Sequence, residues 1–192
     1  LIGNFNDIRE NVTRPIGTEN GGGLTRIGSD NLIMVGSHIA HDCIIGDHTI
    51  LANAVQLAGH IKIEDHARIG GMSAIHHFVT VGQFAFIGGM ARIVKDVPPF
   101  MLVEGNPASV RKVNTILLER NNIPPESIEA LKDAHRRLFR ANGDDEEHAA
   151  APATAATPRN FGEILEKLTE DYPQDACIGI LVEFVRNTNI GL

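Results

Sequence analysis

An aliphatic residue recurs at every sixth position through the middle of the chain. It falls at Ile27, Ile33, Ile39, Ile45, Leu51, Leu57, Ile63, Ile69, Ile75, Val81, Ile87 and Ile93, without a slip. A period of six fits neither a helix (repeat 3.6) nor a lone strand (repeat 2). It fits a hexapeptide solenoid, in which three hexads close one triangular coil of roughly 18 residues. Glycine often follows the aliphatic residue, as at Gly28, Gly46, Gly70, Gly82 and Gly88. The predicted fold class is mainly β with an α-helical C-terminus: a left-handed parallel β-helix followed by a small helical domain. Neighbouring coils are expected about 4.8 Å apart, each burying its aliphatic face on the next. Ile2 and Ile8 carry the same spacing out of phase with the later run. The segment from Thr18 to Thr25 therefore reads as a loop projecting from the coil. Leu1-Ile2-Gly3-Asn4 reads as the middle of a repeat, so further coils are expected to precede it.

The repeat is expected to end at Val97-Pro98-Pro99, where two prolines remove ladder donors. Glu104-Gly105-Asn106-Pro107 is expected to turn the chain outward. Beyond it the period becomes helical. Ile128, Leu131, Ala134 and Leu138 share one face of a predicted helix closing near Gly143. Ile164, Leu165 and Leu168 mark a second helix, and Ile180, Leu181, Phe184 and Val185 a third. Residues 144–157 are acidic, then rich in Ala, Thr and Pro. The expected division is a β-helix domain over 1–109 and a helical domain over 110–192, with a mobile linker near 142–159.

Composition narrows the class. With 192 residues, 43% hydrophobic and 21% charged, the chain is long and apolar enough for one packed domain and an appendage. No apolar run reaches the ~20 residues that span a bilayer. A formal charge of −7 argues against non-specific nucleic-acid binding. Cys43 and Cys177 form no disulfide framework and fit a reducing compartment.

Seven of the nine histidines lie between His38 and His77. Adding one coil to His41 reaches Gly59, beside His60; adding another reaches His77, beside His76. These residues should line one edge on successive coils, with His38 nearby. Packing does not require such a cluster. A neutral imidazole can take a proton from a hydroxyl, Asp42 could orient His41, and the Gly59 N–H could face a developing oxyanion. Together they suit acyl transfer from a thioester to an alcohol. A second reading of the same histidines is a zinc site with an open position for water; it leaves Asp42 and Gly59 without a role. His48 and His66 lie one coil apart elsewhere on the triangle and read as polar corner residues. Cys43 reads as a small wall residue, with no base to activate it. Arg136-Arg137 reads as a solvated helix face.

At these residues a specific resemblance emerges. His38-Ile-Ala-His41-Asp42-Cys43, Leu57-Ala-Gly-His60 and Ile69-Gly-Gly-Met-Ser-Ala-Ile-His76-His77-Phe78 resemble the acyl-(acyl-carrier-protein):UDP-N-acetylglucosamine O-acyltransferase family. Ile8–Thr13, Gly21–Thr25, Gly28–Leu32, Lys95–Pro99 and Gly105-Asn106 agree with it. The resemblance implies the first acylation of lipid A biosynthesis, in the cytoplasm. It implies His41 as general base, Asp42 as its acidic neighbour and the Gly59 N–H as oxyanion donor. It places His38, His60, His76, His77, Asn114 and Arg120 at the sugar nucleotide and Gly89 at the acyl chain. It implies a homotrimer, acyl carrier protein and UDP-N-acetylglucosamine as partners, and no metal or diffusible cofactor. A related enzyme that acylates a UDP-3-amino sugar, and an inactive structural paralogue, remain the alternatives. Pro15-Ile16 stand where the family commonly reads His-Arg, Glu119-Arg120-Asn121-Asn122 where it reads Lys-Arg-Arg-Gly, and His77 where Gln is frequent.

Overall fold

The computed structural model describes residues 1–139, 160–188 and 191–192. The expected linker near 142–159 and the helix end near Gly143 lie outside the described residues.

Each hexad forms a strand of two residues, with the aliphatic residue second and pointing inward. In chain order these are β1 (Asp7–Ile8), β2 (Arg26–Ile27), β3 (Leu32–Ile33), β4 (His38–Ile39), β5 (Ile44–Ile45), β6 (Ile50–Leu51), β7 (Gln56–Leu57) and β8 (Lys62–Ile63). There follow β9 (Arg68–Ile69), β10 (Ala74–Ile75), β11 (Thr80–Val81), β12 (Phe86–Ile87) and β13 (Arg92–Ile93). From β2 onward strands three apart in sequence pair in parallel, and β1 pairs with β3, giving the sheets β1-β3-β6-β9-β12, β4-β7-β10-β13 and β2-β5-β8-β11. Registers such as Ile50↔Arg68 and Gln56↔Ala74 fix the coil at 18 residues. All twelve hexad residues are at most 3% exposed and form one continuous core. The architecture is a parallel β-solenoid.

The corners share a backbone solution. Three residues after each aliphatic position from Ile27 to Ile87 the chain enters the left-handed region, at Asp42, His48, Ala54, His60, His66, Met72, Phe78, Phe84 and Met90 among others. L-residues adopt this region at a cost; stacking with the same corner one coil away offsets it. His48, His66 and Phe84 stack nearly parallel, at 4.9 and 4.5 Å between ring centroids, so this pair of histidines belongs to an aromatic column.

Two departures from the frame bear on function. Ile2, Ile8 and Thr13 pair with Ile27, Ile33 and His38, a register of 25 instead of 18. The seven extra residues are the expected loop, and they rise over the corner at Asp42. At the other end, the prolines do not stop the sheet. Val97 bridges Val81, and β14 (Met101–Gly105) adds to β12 through Ile87↔Val103, a register of 16. Dropping two residues places Pro98 and Pro99 in a shortened corner, so the ladder survives. β14 then folds back on the antiparallel β15 (Ala108–Val113), and the expected division at 109/110 falls inside this strand.

The helices α1 (Thr115–Arg120), α2 (Pro125–Phe139), α3 (Phe161–Asp171) and α4 (Ala176–Asn187) build a second core. It joins Phe100, Met101 and Val113 to Leu118, Ile128, Leu131, Leu138, Leu165, Leu168, Ile178, Leu181 and Val185. Asp175 caps α4 by accepting from the Ile178 N–H at 2.9 Å. Arg137 of α2 donates to Asp171 of α3 at 2.6 Å, so that arginine ties two helices together.

Core deletion should be felt along the stack. Ile69→Ala removes a 1%-exposed side chain from the middle of the solenoid. It is expected to lower unfolding free energy by about 2–5 kcal/mol, measured by denaturant titration.

Candidate active site

The site is built at one corner on three successive coils. His41, Gly59 and His77 occupy equivalent positions, as do Asp42, His60 and Phe78. The His41 imidazole lies flat over the next coil. A Cβ on Gly59 would sit 2.6 Å from its Cε1 and 2.9 Å from its Nε2. Only a residue without a side chain leaves room for that ring. The Gly59 N–H donates to no group among the described residues, whereas the neighbouring His60 N–H donates to the His41 carbonyl at 3.1 Å.

Asp42 fixes the imidazole. Its side chain is 1% exposed, and its Oδ2 lies 2.9 Å from His41 Nδ1. Three donated hydrogen bonds from Thr18 reach the same carboxylate. The Thr18 amide contacts Oδ1 at 2.9 Å and Oδ2 at 3.1 Å, and its hydroxyl donates to Oδ2 at 2.7 Å. The Asp42 N–H in turn donates to the Thr25 hydroxyl oxygen at 2.9 Å. The Thr18 hydroxyl, then the His41 N–H, the Thr18 amide and the charge of His60 hold the Asp42 carboxyl down at about 2, against burial, which opposes ionisation. An ionised carboxylate can only accept, so His41 carries its proton on Nδ1 and presents Nε2 as the basic nitrogen.

This linkage has a sign. A carboxyl depressed from 3.8 to about 2 contributes stability above its ordinary value and loses it as pH falls through about 2. The Thr18 amide-proton resonance is therefore expected to move toward an unbonded position with a midpoint near about pH 2, and to be unchanged at about pH 4, read by NMR.

The remaining predicted residues are placed as follows. His60 meets His41 edge-to-face at 5.2 Å and stacks on Phe78 at 4.8 Å; its Nε2 lies 4.0 Å from Asp42 Oδ2. His38 Nδ1 is 2.7 Å from the Thr13 hydroxyl. His76 and His77 pack edge-to-face at 5.1 Å and are exposed. Asn114 is buried and structural in its contacts: its side chain donates to the Phe84 carbonyl at 3.0 Å, anchoring α1 to the solenoid. Arg120 is exposed at the end of α1, and Gly89 is exposed beside the Gly71 carbonyl. The structure gives neither a contact with the His41 cluster. Cys43 is fully buried, donates to the Ala58 carbonyl at 3.1 Å and is pushed up by burial to about 11, as an inert wall residue should be.

Thr18, Thr25, Gly17 and Gly21 escaped the sequence reading. A Cβ on Gly21 would lie 2.2 Å from the Asp42 carboxylate, and one on Gly17 2.7 Å from its Oδ1. Of Pro15-Ile16-Gly17-Thr18, the two residues that depart from the family pattern are exposed, and the other two close on Asp42. The signal available was the seven-residue slip in the hexad frame just before the His41 coil.

The donor atoms of His41, Asp42 and His60 lie within 4.8 Å of one another, close enough to be tested as a metal triad. Both Asp42 oxygens already accept from Thr18 or His41. A cation would have to displace those donors, so the donor set fits proton transfer better. A cavity of about 810 Å³ between the β2-β5-β8-β11 face and α4 includes none of these residues.

A hexapeptide solenoid with an imidazole–carboxylate pair on its edge and helices at its end has the architecture of the hexapeptide-repeat class. The hexapeptide transferase family matches residues 24–59. Residues 96–192 match the second domain of the UDP-N-acetylglucosamine O-acyltransferases. The acyl-(acyl-carrier-protein)–UDP-N-acetylglucosamine O-acyltransferase of Synechocystis is 51% identical over 141 residues, covering 73% of this chain and 51% of that protein. Its namesake from Nautilia profundicola is 40% identical over all 192 residues, 68% of that protein. The crystal structure of the Moraxella catarrhalis UDP-N-acetylglucosamine O-acyltransferase superposes with a TM-score of 0.87 at 36% identity, over 100% of this chain and 68% of that one. The chain belongs to the UDP-N-acetylglucosamine O-acyltransferase family. It spans about half the length of the Synechocystis relative.

Proposed function

We propose that the chain transfers a (3-hydroxy)acyl group from acyl carrier protein to the 3-hydroxyl of UDP-N-acetylglucosamine, the first step of lipid A biosynthesis. One observation carries the reading: His41, oriented by a buried Asp42, holds its basic Nε2 edge directly over Gly59, whose N–H is unpaired among the described residues. His41 Nε2 takes the proton of the sugar hydroxyl. The oxygen attacks the thioester carbonyl carbon, and the Gly59 N–H receives the oxyanion. Collapse breaks the C–S bond, and the departing thiolate takes the proton back from the imidazolium. Asp42 stays ionised throughout and stabilises the imidazolium. Protons and electrons balance without a metal or diffusible cofactor.

Several features support the partners. His60 packs against His41, His38 lies three residues before it and His76 and His77 two coils on; these rings can bond a sugar nucleotide, and Arg120 at the end of α1 offers an exposed cation. Met72 and Met90, 66% and 72% exposed, follow one another one coil apart at a second corner and form an apolar stripe beside Gly71 and Gly89. Such a stripe suits an acyl chain sealed by a second subunit, as a homotrimer would provide. No helix among the described residues is long and apolar enough to cross a membrane; the cytoplasm as the place of work follows from the family reading.

The test is a mass-spectrometric assay with UDP-N-acetylglucosamine, a UDP-3-amino sugar and 3-hydroxyacyl carrier protein. Acylated UDP-N-acetylglucosamine is the expected product. Product from the amine alone would transfer the reading to the amino sugar, and no product from either acceptor would overturn both.

A further inference from the structure

We propose that Thr18 is the positioning residue of the acid–base pair, and that the loop interrupting the solenoid exists to bring its hydroxyl and amide onto Asp42. This deepens the acyl-transfer reading and rests on it for its kinetic part.

Asp42 sits at a left-handed corner, φ +60°, where its own coil offers its carboxylate no backbone donor. Its carboxylate accepts only from His41 and Thr18 among the described residues, so without the loop His41 is its one remaining donor. The loop changes this. It inserts seven residues beyond the coil repeat and turns back at Thr18, where Gly21 and Gly23 N–H groups both donate to the Thr18 carbonyl, at 3.0 and 2.8 Å. That turn aims the Thr18 amide and hydroxyl at Asp42, and Gly17 and Gly21 press against the carboxylate with no space for a side chain. The loop's far end contributes the Thr25 hydroxyl to the Asp42 amide. Both the backbone and the side chain of Asp42 are thus held by one loop. The Thr18 hydroxyl and amide bond to Asp42 and not to His41, so Thr18 acts through Asp42.

The hydroxyl bonds are charge-assisted, the class whose loss costs about 10- to 100-fold in an equilibrium or rate. Thr18→Val keeps the β-branched shape and the amide and removes only the hydroxyl. It is expected to lower kcat by that factor, with KM for the sugar nucleotide within about twofold, and Thr18→Ser should restore most of the rate. Independently of turnover, carboxyl ¹³C NMR of Asp42 should show its titration moving up from about 2 toward the ordinary aspartate range in Thr18→Val but not in Thr18→Ser. Ring ¹⁵N shifts of His41 should show loss of the Nδ1–H tautomer. An unchanged Asp42 titration and an unchanged His41 tautomer in a folded Thr18→Val would overturn the proposal. If the parent chain turns nothing over, the acyl-transfer reading fails while the two NMR measurements still decide the role of Thr18.

Discussion

His41→Ala is expected to lower kcat for acyl transfer by about 10²- to 10⁴-fold, the range set by loss of a positioned general base. The fold should not notice. The imidazole is 38% exposed and contributes nothing to the aliphatic core, so the thermal midpoint should stay close to the parent's. The KM for the sugar nucleotide should change little, because His38, His60 and His76 remain. A rate within about threefold of the parent would remove His41 from the mechanism. The pairing with Asp42 sharpens the test. Asp42→Asn can still hydrogen-bond to the ring but can offer its amide N–H to Nδ1, leaving the proton on Nε2. That tautomer cannot act as a base, so Asp42→Asn should approach the loss seen for His41→Ala without reaching it.

Gly59→Ala should be nearly as costly, for a steric reason. The backbone at Gly59 lies outside the left-handed region, so alanine is no worse there in conformation. The added methyl would instead fall 2.6 Å from Cε1 of His41, inside van der Waals contact. The ring must rotate off Asp42 or lift from the coil, and a displacement of about 1 Å at a reacting group costs on the order of 10²-fold. The expectation is a fall in kcat of at least that size with the solenoid intact. Double-mutant kinetics separate this from damage at a distance. Adding Gly59→Ala to His41→Ala should cost much less than Gly59→Ala alone, because the ring that clashed is gone. Full additivity would show that the two residues act apart.

The solenoid and the heart of the site were legible because both obey one period. Counting by 18 from His41 reaches Gly59 and His77, and the structure stacks those residues at one corner. What was missed lies where that period breaks. Thr18 reaches Asp42 across 24 residues, a separation that matches no number of coils. The prolines at 98 and 99 read as a stop because a ladder of fixed register cannot hold them; a register of 16 puts them at a corner. α1 is a six-residue helix whose buried face is only Leu117 and Leu118, too short for a periodic signal. His48 and His66 read as isolated polar corners because their partners in the column, Phe84 and Phe100, are not histidines. For Asn114 the resemblance supplied a ligand-binding role, whereas the structure supplies an anchor for α1, and the two are compatible only if the side chain is shared between them.

The corner loop over Asp42 also says something about how such a molecule can change. A strand residue gained or lost would exchange inward and outward positions for every coil that follows, emptying the core and scattering the histidines in one step. A solenoid is therefore a ruler with fixed graduations, unforgiving along its edges and permissive at its corners. The seven residues inserted between β1 and β2 enter and leave at one corner, and the twelve aliphatic positions beyond them keep their count. New side chains can be carried to an edge only as outgrowths of this kind. Variation in substrate choice among chains built on this ruler should accordingly be sought in loop length at the corners flanking His41, with the graduations themselves held constant.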